Sequence, residues 1–421
     1  MGKCKFLKTC GWYDKESITC NKDNGMYYAN GTEPAGCWRR NQEELENKNK
    51  QLKVKTVFGS HQIYQEIANY PPEGINYVNI SKGTKQGTYY KYKKIKEFLS
   101  LTLRKFSIPR MIFLQKNNCD IIHTSRGIIP LNKISWVMDI EHVHSFYSLD
   151  SIPLTKERNK RFIEKKLSSK YCKSVLCHCE ATRQSFFHFL NCENFKNKIK
   201  VLYPASHTIS IRKRPHKKII ILCVLSLFKQ KGGIQILKAF TKLEKKYKNI
   251  ELRMRADVPI NIKEKFNSKN IKYTSYLNNI ISRKELIQKE YAKADIFVYP
   301  TFCDSFGYSL IDALVAKLPI VTTNMFASPE VVENNKNGFV IDIPGYFLKE
   351  DYKQYFHFSK LTEEEKNQFN DNLTNSIEKL IKDKNLRIQM GKNSFEKVKN
   401  GKFSIKERNK KLKKIYEGAL K

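Results

Sequence analysis

The sequence predicts an α/β protein made of two doubly wound units, each a parallel sheet with helices on both faces. Three observations predict it. From about residue 52, strand-length apolar runs alternate with amphipathic helical runs. The alternation stops at 203–215, where Pro204 and Pro215 stand in a stretch without periodicity, and then starts again. Finally, 421 residues exceed what one hydrophobic core usually supports.

Within the first unit, 53–58 reads as a strand, Gly59-Ser60-His61 as a turn, 62–69 as a short helix and 77–80 as the next strand. A basic helix at 89–107 precedes strands 120–124 and 135–140, a polar helix at 154–168, strand 174–177, helix 181–190 and strand 198–202. The second unit runs through strand 218–225, helix 233–248, strands 250–255 and 271–273, helix 282–293, strand 296–299, helix 309–315, strand 320–322, helix 329–333 and strand 338–341. Helices at 362–382, 386–398 and 404–420 end the chain. The domains expected are a Cys-rich segment 1–45, an N-terminal Rossmann-like domain 46–205, a C-terminal one 216–400, and a final helix 401–421.

Composition narrows the function classes. Hydrophobic residues make up 40% and charged residues 28%, which excludes a disordered chain, and 18 Gly with 13 Pro exclude a collagenous one. The 78 basic and 41 acidic residues leave +37, which suits a polyanionic partner: nucleic acid, an anionic membrane surface or phosphorylated substrates. Base composition explains the same excess, since Lys outnumbers Arg about fourfold and phosphate readers favour Arg. The longest apolar run, 219–228, is strand-sized rather than membrane-spanning. The N-terminus has no apolar signal core, and Phe6 stands where an acylation signal wants Ser or Thr, so a cytoplasmic protein is expected.

Eleven cysteines are many for such a protein, and Cys4, Cys10, Cys20 and Cys37 crowd into its first tenth. The segment has no periodicity of its own, so either a structural zinc on these four thiolates staples it or the thiols stay reduced; no C-x2-C pair decides between them.

In facing doubly wound domains, ligands bind beyond the carboxyl ends of the strands. After strand 218–225 comes Ser226-Leu227-Phe228-Lys229-Gln230-Lys231-Gly232-Gly233 and then a helix, so two lysines and a helix N-terminus converge where a diphosphate fits; a plain structural turn is the alternative. After strand 296–299, Asp304 lies in the loop and Asp312 on the following helix, able to accept hydrogen bonds from sugar hydroxyls, while the Ser305, Phe306 and Gly307 amides can donate to anionic oxygens. Acidic residues that satisfy the helix dipole are the bland reading. A third loop, 323–333, carries Pro329-Glu330 at a helix start.

The run ADIFVYPTFCDSFGYSLIDALVAKLPIVTTNMFASPEVVENNKNGFVIDI at 294–343, with the closing segments 387–391 and 402–417, resembles the donor half of the family 4 glycosyltransferases. The resemblance covers about 52–421, and its motifs lie chiefly after Ile219. It implies the GT-B fold, with a cleft between the domains and a last helix crossing back to the N-terminal domain. It also implies a retaining, metal-independent transfer of a hexose or N-acetylhexosamine from a UDP- or GDP-sugar. The acceptor would be a glycan, glycolipid or lipid-linked compound, read by the N-terminal domain. By position, Asp304 would touch the donor sugar and Asp312 the ribose; Lys231 would bind phosphate, with Ser226, Lys229, Gly232, Ser305, Phe306 and Gly307 around it. Gly59 matches a glycine turn near the phosphates, and the N-domain histidine falls among Glu141, His142 and His144, with His142 first. The catalytic set implied is Asp304, His142 and Lys231, with same-face attack assisted by the leaving phosphate.

The chain departs from the family in several places. Two aspartates replace glutamates, Ser226 replaces an arginine, Leu225 a glycine and Phe326-Ala327 a Gly-Gly pair; Lys229 is the candidate for the missing charge, without an arginine's planar fork. No D-x-D triplet occurs, consistent with metal independence. The basic helix at 89–107 reads either as a sheet-covering helix or as one lying on an anionic leaflet, which would make the protein peripheral at the cytoplasmic membrane face. The rivals are a catalytically degenerate GT-B-like module and a basic nucleic-acid-binding protein; the three ordered loops argue against nucleic acid.

Overall fold

The computed structural model describes residues 51–78, 107–115, 118–211 and 216–420, together with the backbone of three short strands before them. Contacts divide the chain into a small unit, 1–53 with 73–76, and a large unit, 54–72 with 77–421. In the small unit β1 (Tyr13–Asp14), β2 (Thr19–Cys20) and β3 (Gly25–Met26) pair antiparallel in sequence order.

The large unit holds two parallel sheets. The first uses β4 (Leu52–Val57) and β5 (Ile75–Val78), whose residues from Val54 and Tyr77 onward belong to this unit, with helix α1 (Gln62–Asn69) between them. A two-residue pair follows, β6 (Met111–Ile112) against β8 (Ile129–Pro130), with β7 (Ile121–Thr124) between them in sequence. Next come β9 (Trp136–Ile140), α2 (Glu157–Ser168), β10 (Cys172–Cys177), α3 (Glu180–Phe189) and β11 (Ile199–Val201). The sheet order is β11-β10-β9-β7-β4-β5, so the winding reverses between β4 and β7.

The second sheet begins with β12 (Ile219–Leu225), the apolar run IIILCVL, which is buried from Ile220 onward because helices cover both faces of a central parallel strand. Helix α4 (Gly233–Lys246) turns Ile236, Leu237, Phe240 and Leu243 inward at helical spacing. The chain continues through β13 (Ile250–Ala256), α5 (Ile260–Lys265), β14 (Ile271–Thr274), α6 (Arg283–Lys289), β15 (Ile296–Tyr299), α7 (Tyr308–Val315), β16 (Ile320–Thr323), α8 (Ser328–Val331), β17 (Gly338–Ile341) and α9 (Leu348–Asp351). Its order, β14-β13-β12-β15-β16-β17, reverses between β12 and β15. The loops singled out in the sequence, 226–233 and 300–307, therefore follow the two strands that flank this switch point.

Helices α10 (Glu363–Lys382), α11 (Lys384–Lys399) and α12 (Ile405–Ala419) close the fold. Thr362 and Glu365 form a capping box that starts α10. As expected, the last helix returns to the N-terminal sheet. Tyr416 is fully buried, its hydroxyl 2.6 Å from His123 Nδ1 and 3.1 Å from Tyr77 Oη, while Arg408 Nη2 donates to the Tyr70 carbonyl at 2.6 Å. His123 Nε2 in turn lies 3.0 Å from Asp139 Oδ2, so a buried polar chain anchors the crossing.

Some element boundaries differ from the sequence reading, for local reasons. The helix expected at 154–168 starts at Glu157, because Ile152–Thr155 around Pro153 forms a separate 3-10 turn. The helix expected at 282–293 ends at Lys289 and resumes as a 3-10 turn at Tyr291–Lys293. The pair β6 and β8, and helices α5 and α9, are too short to give a periodic signal. The basic helix at 89–107 and the cysteines Cys4, Cys10 and Cys37 fall outside the described residues, except for Ser107 at the helix end. Among the described residues, no helix is long and apolar enough to cross a membrane.

Tyr416→Phe removes one hydroxyl and keeps the ring. It should lower unfolding stability by about 1–2 kcal/mol, because His123 and Tyr77 lose a buried partner. A urea titration checks this; an unchanged midpoint would mean that packing alone holds the last helix.

Candidate functional site

The two loops at the C-terminal switch point interlock through Gly232. It sits at φ 76°, and a Cβ there would lie 2.3 Å from the Pro300 carbonyl oxygen, so only glycine lets the turn after β12 lie against the turn after β15. That contact brings Lys231 to Asp304. Lys231 Nζ donates to Asp304 Oδ2 at 2.5 Å, and the Tyr299 hydroxyl donates to the same oxygen at 2.5 Å. The Phe306 and Gly307 amides donate to Oδ1 at 3.3 and 3.1 Å, closing the turn into α7. Burial alone would raise the Asp304 carboxyl, but the Lys231 charge and these hydrogen bonds hold it below its ordinary range. The expected cluster of Lys231, Asp304, Ser305, Phe306 and Gly307 is thus brought together, while Ser226 and Lys229, on the same loop as Lys231, are exposed.

Asp312 belongs to a different cluster. On α7 it is buried and accepts from Arg283 Nε at 2.7 Å. The same guanidinium reaches the N-terminal domain, donating from Nη1 to Glu66 Oε1 at 2.9 Å and from Nη2 to Ser206 Oγ at 2.7 Å. Glu66 also receives the His207 amide at 3.2 Å and lies 3.0 Å from His207 Nδ1. Burial raises the Asp312 carboxyl above its usual range, and Arg283 offsets that only in part. A second bridge runs from the third loop. Glu330 on α8 accepts from the Glu180 and Ala181 amides at 2.8 and 2.9 Å, so it caps the N-terminus of α3 across the cleft, and it accepts from the Tyr203 hydroxyl at 2.7 Å.

On the N-terminal side, Gly59 follows β4 at the switch point and its amide donates to Ser125 Oγ at 3.3 Å. An added Cβ would meet only Arg126 Cδ, at 3.9 Å, so no steric demand explains this glycine. His142 is wholly buried with both ring nitrogens engaged. Nδ1 accepts the His144 amide at 3.1 Å, which leaves the proton on Nε2 to be donated to the Tyr352 carbonyl at 2.8 Å. Burial pushes its pKa down to about 4, against the raising effect of that hydrogen bond, and burial pushes the neighbouring His144 down to about 3. His142 therefore locks the domains together as a neutral donor.

Sequence reasoning missed Arg283, Glu66 and Arg126. No motif marks them: Arg283 lies 29 residues from Asp312 and 217 from Glu66, and only folding joins them. Among the described residues no group of three His, Cys, Asp or Glu side chains could hold a metal ion, and the four N-terminal cysteines are not all among those residues. A surface cavity of about 620 Å³ between β17 and α10, lined by Asn334, Phe339, Asp342 and Lys379 among others, contains none of the expected site residues.

Comparison with known proteins agrees with this architecture. Residues 207–354 match the family described as glycosyl transferases group 1, which includes the Lys231–Asp304 cluster and Asp312. The capsular polysaccharide biosynthesis glycosyltransferase CapM of Staphylococcus aureus is 31% identical over 114 residues, 27% of this chain and 23% of that protein. The phosphatidylinositol N-acetylglucosaminyltransferase GPI3 subunit of Saccharomyces cerevisiae is 26% identical over 125 residues, 29% of this chain and 27% of the relative. The chain thus matches about a quarter of the length of these curated relatives. Among solved structures, a glycosyltransferase from Rickettsia africae superposes with a TM-score of 0.53 at 16% identity, over 89% of this chain and 99% of that one. WaaG, a glycosyltransferase involved in lipopolysaccharide biosynthesis, gives 0.53 at 14% identity over 87% and 99%. The fold is GT-B.

Two outcomes follow from the charges. Arg283→Met leaves Glu66 and Asp312 without their shared cation and should cost about 3–5 kcal/mol. Asp312 then favours its protonated form further in the folded state, so the variant's deficit relative to the wild type should grow as pH rises; a deficit in urea midpoint that is no larger at pH 8 than at pH 5 would contradict this. For His142 the folded value lies below the unfolded one. Wild-type stability should therefore fall as pH drops from about 6.5 to about 4, where the unfolded chain takes up a proton and the folded one does not. His142→Gln should flatten that slope in the same titration.

Proposed function

We propose that this chain is a retaining, metal-independent glycosyltransferase. It moves a hexose or N-acetylhexosamine from a UDP- or GDP-sugar to a glycan, glycolipid or lipid-linked acceptor. The observation that carries the reading is the Lys231–Asp304 cluster at the C-terminal switch point, within the segment that matches the glycosyl transferases group 1 family.

A lysine ammonium has three donors and Asp304 takes one, so two remain for a diphosphate oxygen. The N-terminus of α4, which starts at Gly233, adds its partial positive charge beside Lys229. Together they stabilise the negative charge that the leaving diphosphate gains, the largest electrostatic demand of the reaction. The attacking hydroxyl approaches on the face that the diphosphate leaves. Asp304, oriented by Lys231 and Tyr299, faces the donor sugar, and Asp312 meets the ribose once Arg283 yields one contact. Residues 46–205 take the acceptor and 216–400 the donor. Capsular polysaccharide biosynthesis and phosphatidylinositol N-acetylglucosaminyl transfer, named for the two relatives, support a glycan or lipid-linked acceptor. We place the protein in the cytoplasm, peripheral at the membrane face when its acceptor is lipid-linked.

Thermal unfolding against UDP-, GDP-, ADP- and CMP-sugars tests the reading, because a ligand that binds only the folded state raises the midpoint. One class at 100 times its Kd should stabilise the wild type by about 2.7 kcal/mol, and Asp312→Asn should lose most of that gain. Silence across the panel would favour a non-catalytic module, the reading to which the fully engaged Asp304 carboxylate would then point.

A further inference from the structure

Segment 345–360, between β17 and α10, forms another surface cavity, of about 330 Å³, within the range of small-molecule sites. Five aromatic side chains line it: Tyr346, Phe347, Tyr355, Phe356 and His357. Core packing accounts for only some of them, because the Phe347 and Tyr355 side chains stand in residues that are 62% and 42% exposed. Tyr346 is buried and fixed, its hydroxyl donating to the Lys353 carbonyl at 2.8 Å and accepting the Phe326 amide at 3.2 Å. The larger cavity of about 620 Å³ offers no comparable surface, since its ring, Phe339, is buried with Lys379 Nζ 5.6 Å from the centroid.

The charges around the smaller cavity balance. Glu350 and Asp351 stand against Lys353 and Lys360, in a chain whose net charge is +37. A nucleotide or an anionic leaflet therefore finds less attraction here than on the basic surface around it. Asp351 is taken by Lys353, which pairs with it through its ammonium and donates its amide at 3.0 Å. Among the described residues, the Glu350 carboxylate, the Lys360 ammonium and the Tyr355 hydroxyl have no hydrogen-bond partner. An acceptor, a donor and a group that does both thus stand beside exposed rings. A sugar matches this set: each hydroxyl both donates and accepts, and the C–H face of the ring rests on the negative face of an aromatic side chain.

The wall of the cavity is bonded to the donor cluster. The Asp304 amide donates to the Gln354 carbonyl at 2.9 Å and the Phe356 amide to the Phe302 carbonyl at 2.7 Å, so Tyr355 pairs with Cys303, the residue before Asp304. On its other side α9 packs against α3 of the N-terminal domain, and the Tyr352 carbonyl accepts from His142. The cavity therefore lies where the two domains meet. Tyr355, Phe356, His357 and Lys360 stand beyond the residues that match the glycosyl transferases group 1 family.

Resting on the glycosyl-transfer reading, we propose that this cavity is a second carbohydrate site, which holds one sugar unit of an oligosaccharide acceptor apart from the unit that reacts. Phe347 and Tyr355 supply the ring contacts, and Glu350 and Lys360 meet the hydroxyls. Holding a distal unit there raises the local concentration of the reactive end near the donor cluster, and it favours a glycan over a bare lipid as acceptor.

The test uses the full chain and three neutral probes, maltohexaose, cellohexaose and chitohexaose, titrated by calorimetry. At least one should bind with a Kd on the order of 1 mM or tighter. Phe347→Ala and Tyr355→Ala should each weaken that binding about tenfold, as the loss of an aromatic contact implies. Phe347→Ala should keep the wild-type urea midpoint and the donor-induced rise in melting midpoint. The bound probe should also speed release of nucleoside diphosphate from the donor, and binding without faster release would overturn the acceptor role. Unchanged probe affinity in both variants would put the glycan elsewhere on the molecule and overturn the site. Absence of binding to all three probes, with the donor-induced shift present, would overturn the site and leave the transfer reading intact. Self-association that Phe347→Ala abolishes, in a wild type that binds no probe, would make the exposed ring a contact between copies instead. A wild type that binds a probe here but no nucleotide sugar would sink the glycosyl-transfer reading, and the acceptor role with it.

Discussion

The Arg283 guanidinium is the charge on which the closed arrangement of the two domains depends. It sits between Asp312 of one domain and Glu66 of the other, with Ser206 filling its remaining fork. At these separations inside a protein each ion pair is strong, but only because all three groups have left water together. Removing Arg283 leaves the buried Asp312 carboxyl without its cation, while Glu66 keeps His207. The arrangement therefore fixes the angle of the cleft more than it adds to net stability. Glu330 on the α3 N-terminus and His142 on the Tyr352 carbonyl repeat the device with weaker groups.

The cleft so defined has two kinds of wall. The C-terminal wall is preorganised and self-satisfied, with Lys231 and Asp304 each holding the other. The N-terminal wall is less complete: Glu141 and Arg126 reach each other only at 3.5 Å and both touch solvent. That asymmetry fits a protein in which one side grips a constant group and the other receives a more variable one.

Much of this was legible in one dimension. The run IIILCVL at 219–225 and the alternating helices after it carry enough buried apolar surface to declare a parallel sheet, and the loops after strands are where ligands go. Lys231 and Asp304 could be named because each lies in the loop after a strand next to the switch point. Gly59 was noticed too, although the space around it asks for no glycine. His142 could be placed after β9 but not described, because nothing in the sequence says that Tyr352, 210 residues on, would take its proton.

The sequence by itself determined the two α/β units, their order and the strand ends that carry polar loops, because periodic burial is a local property of the chain. Only the tertiary structure decided which charges neutralise one another. It drew Asp312 to Arg283 and Glu66, made His142 a lock, and left Glu141 facing the cleft. The physical reason is range: hydrophobic periodicity repeats over a few residues, whereas a buried charge must find its counter-charge wherever the fold brings one within about 4 Å.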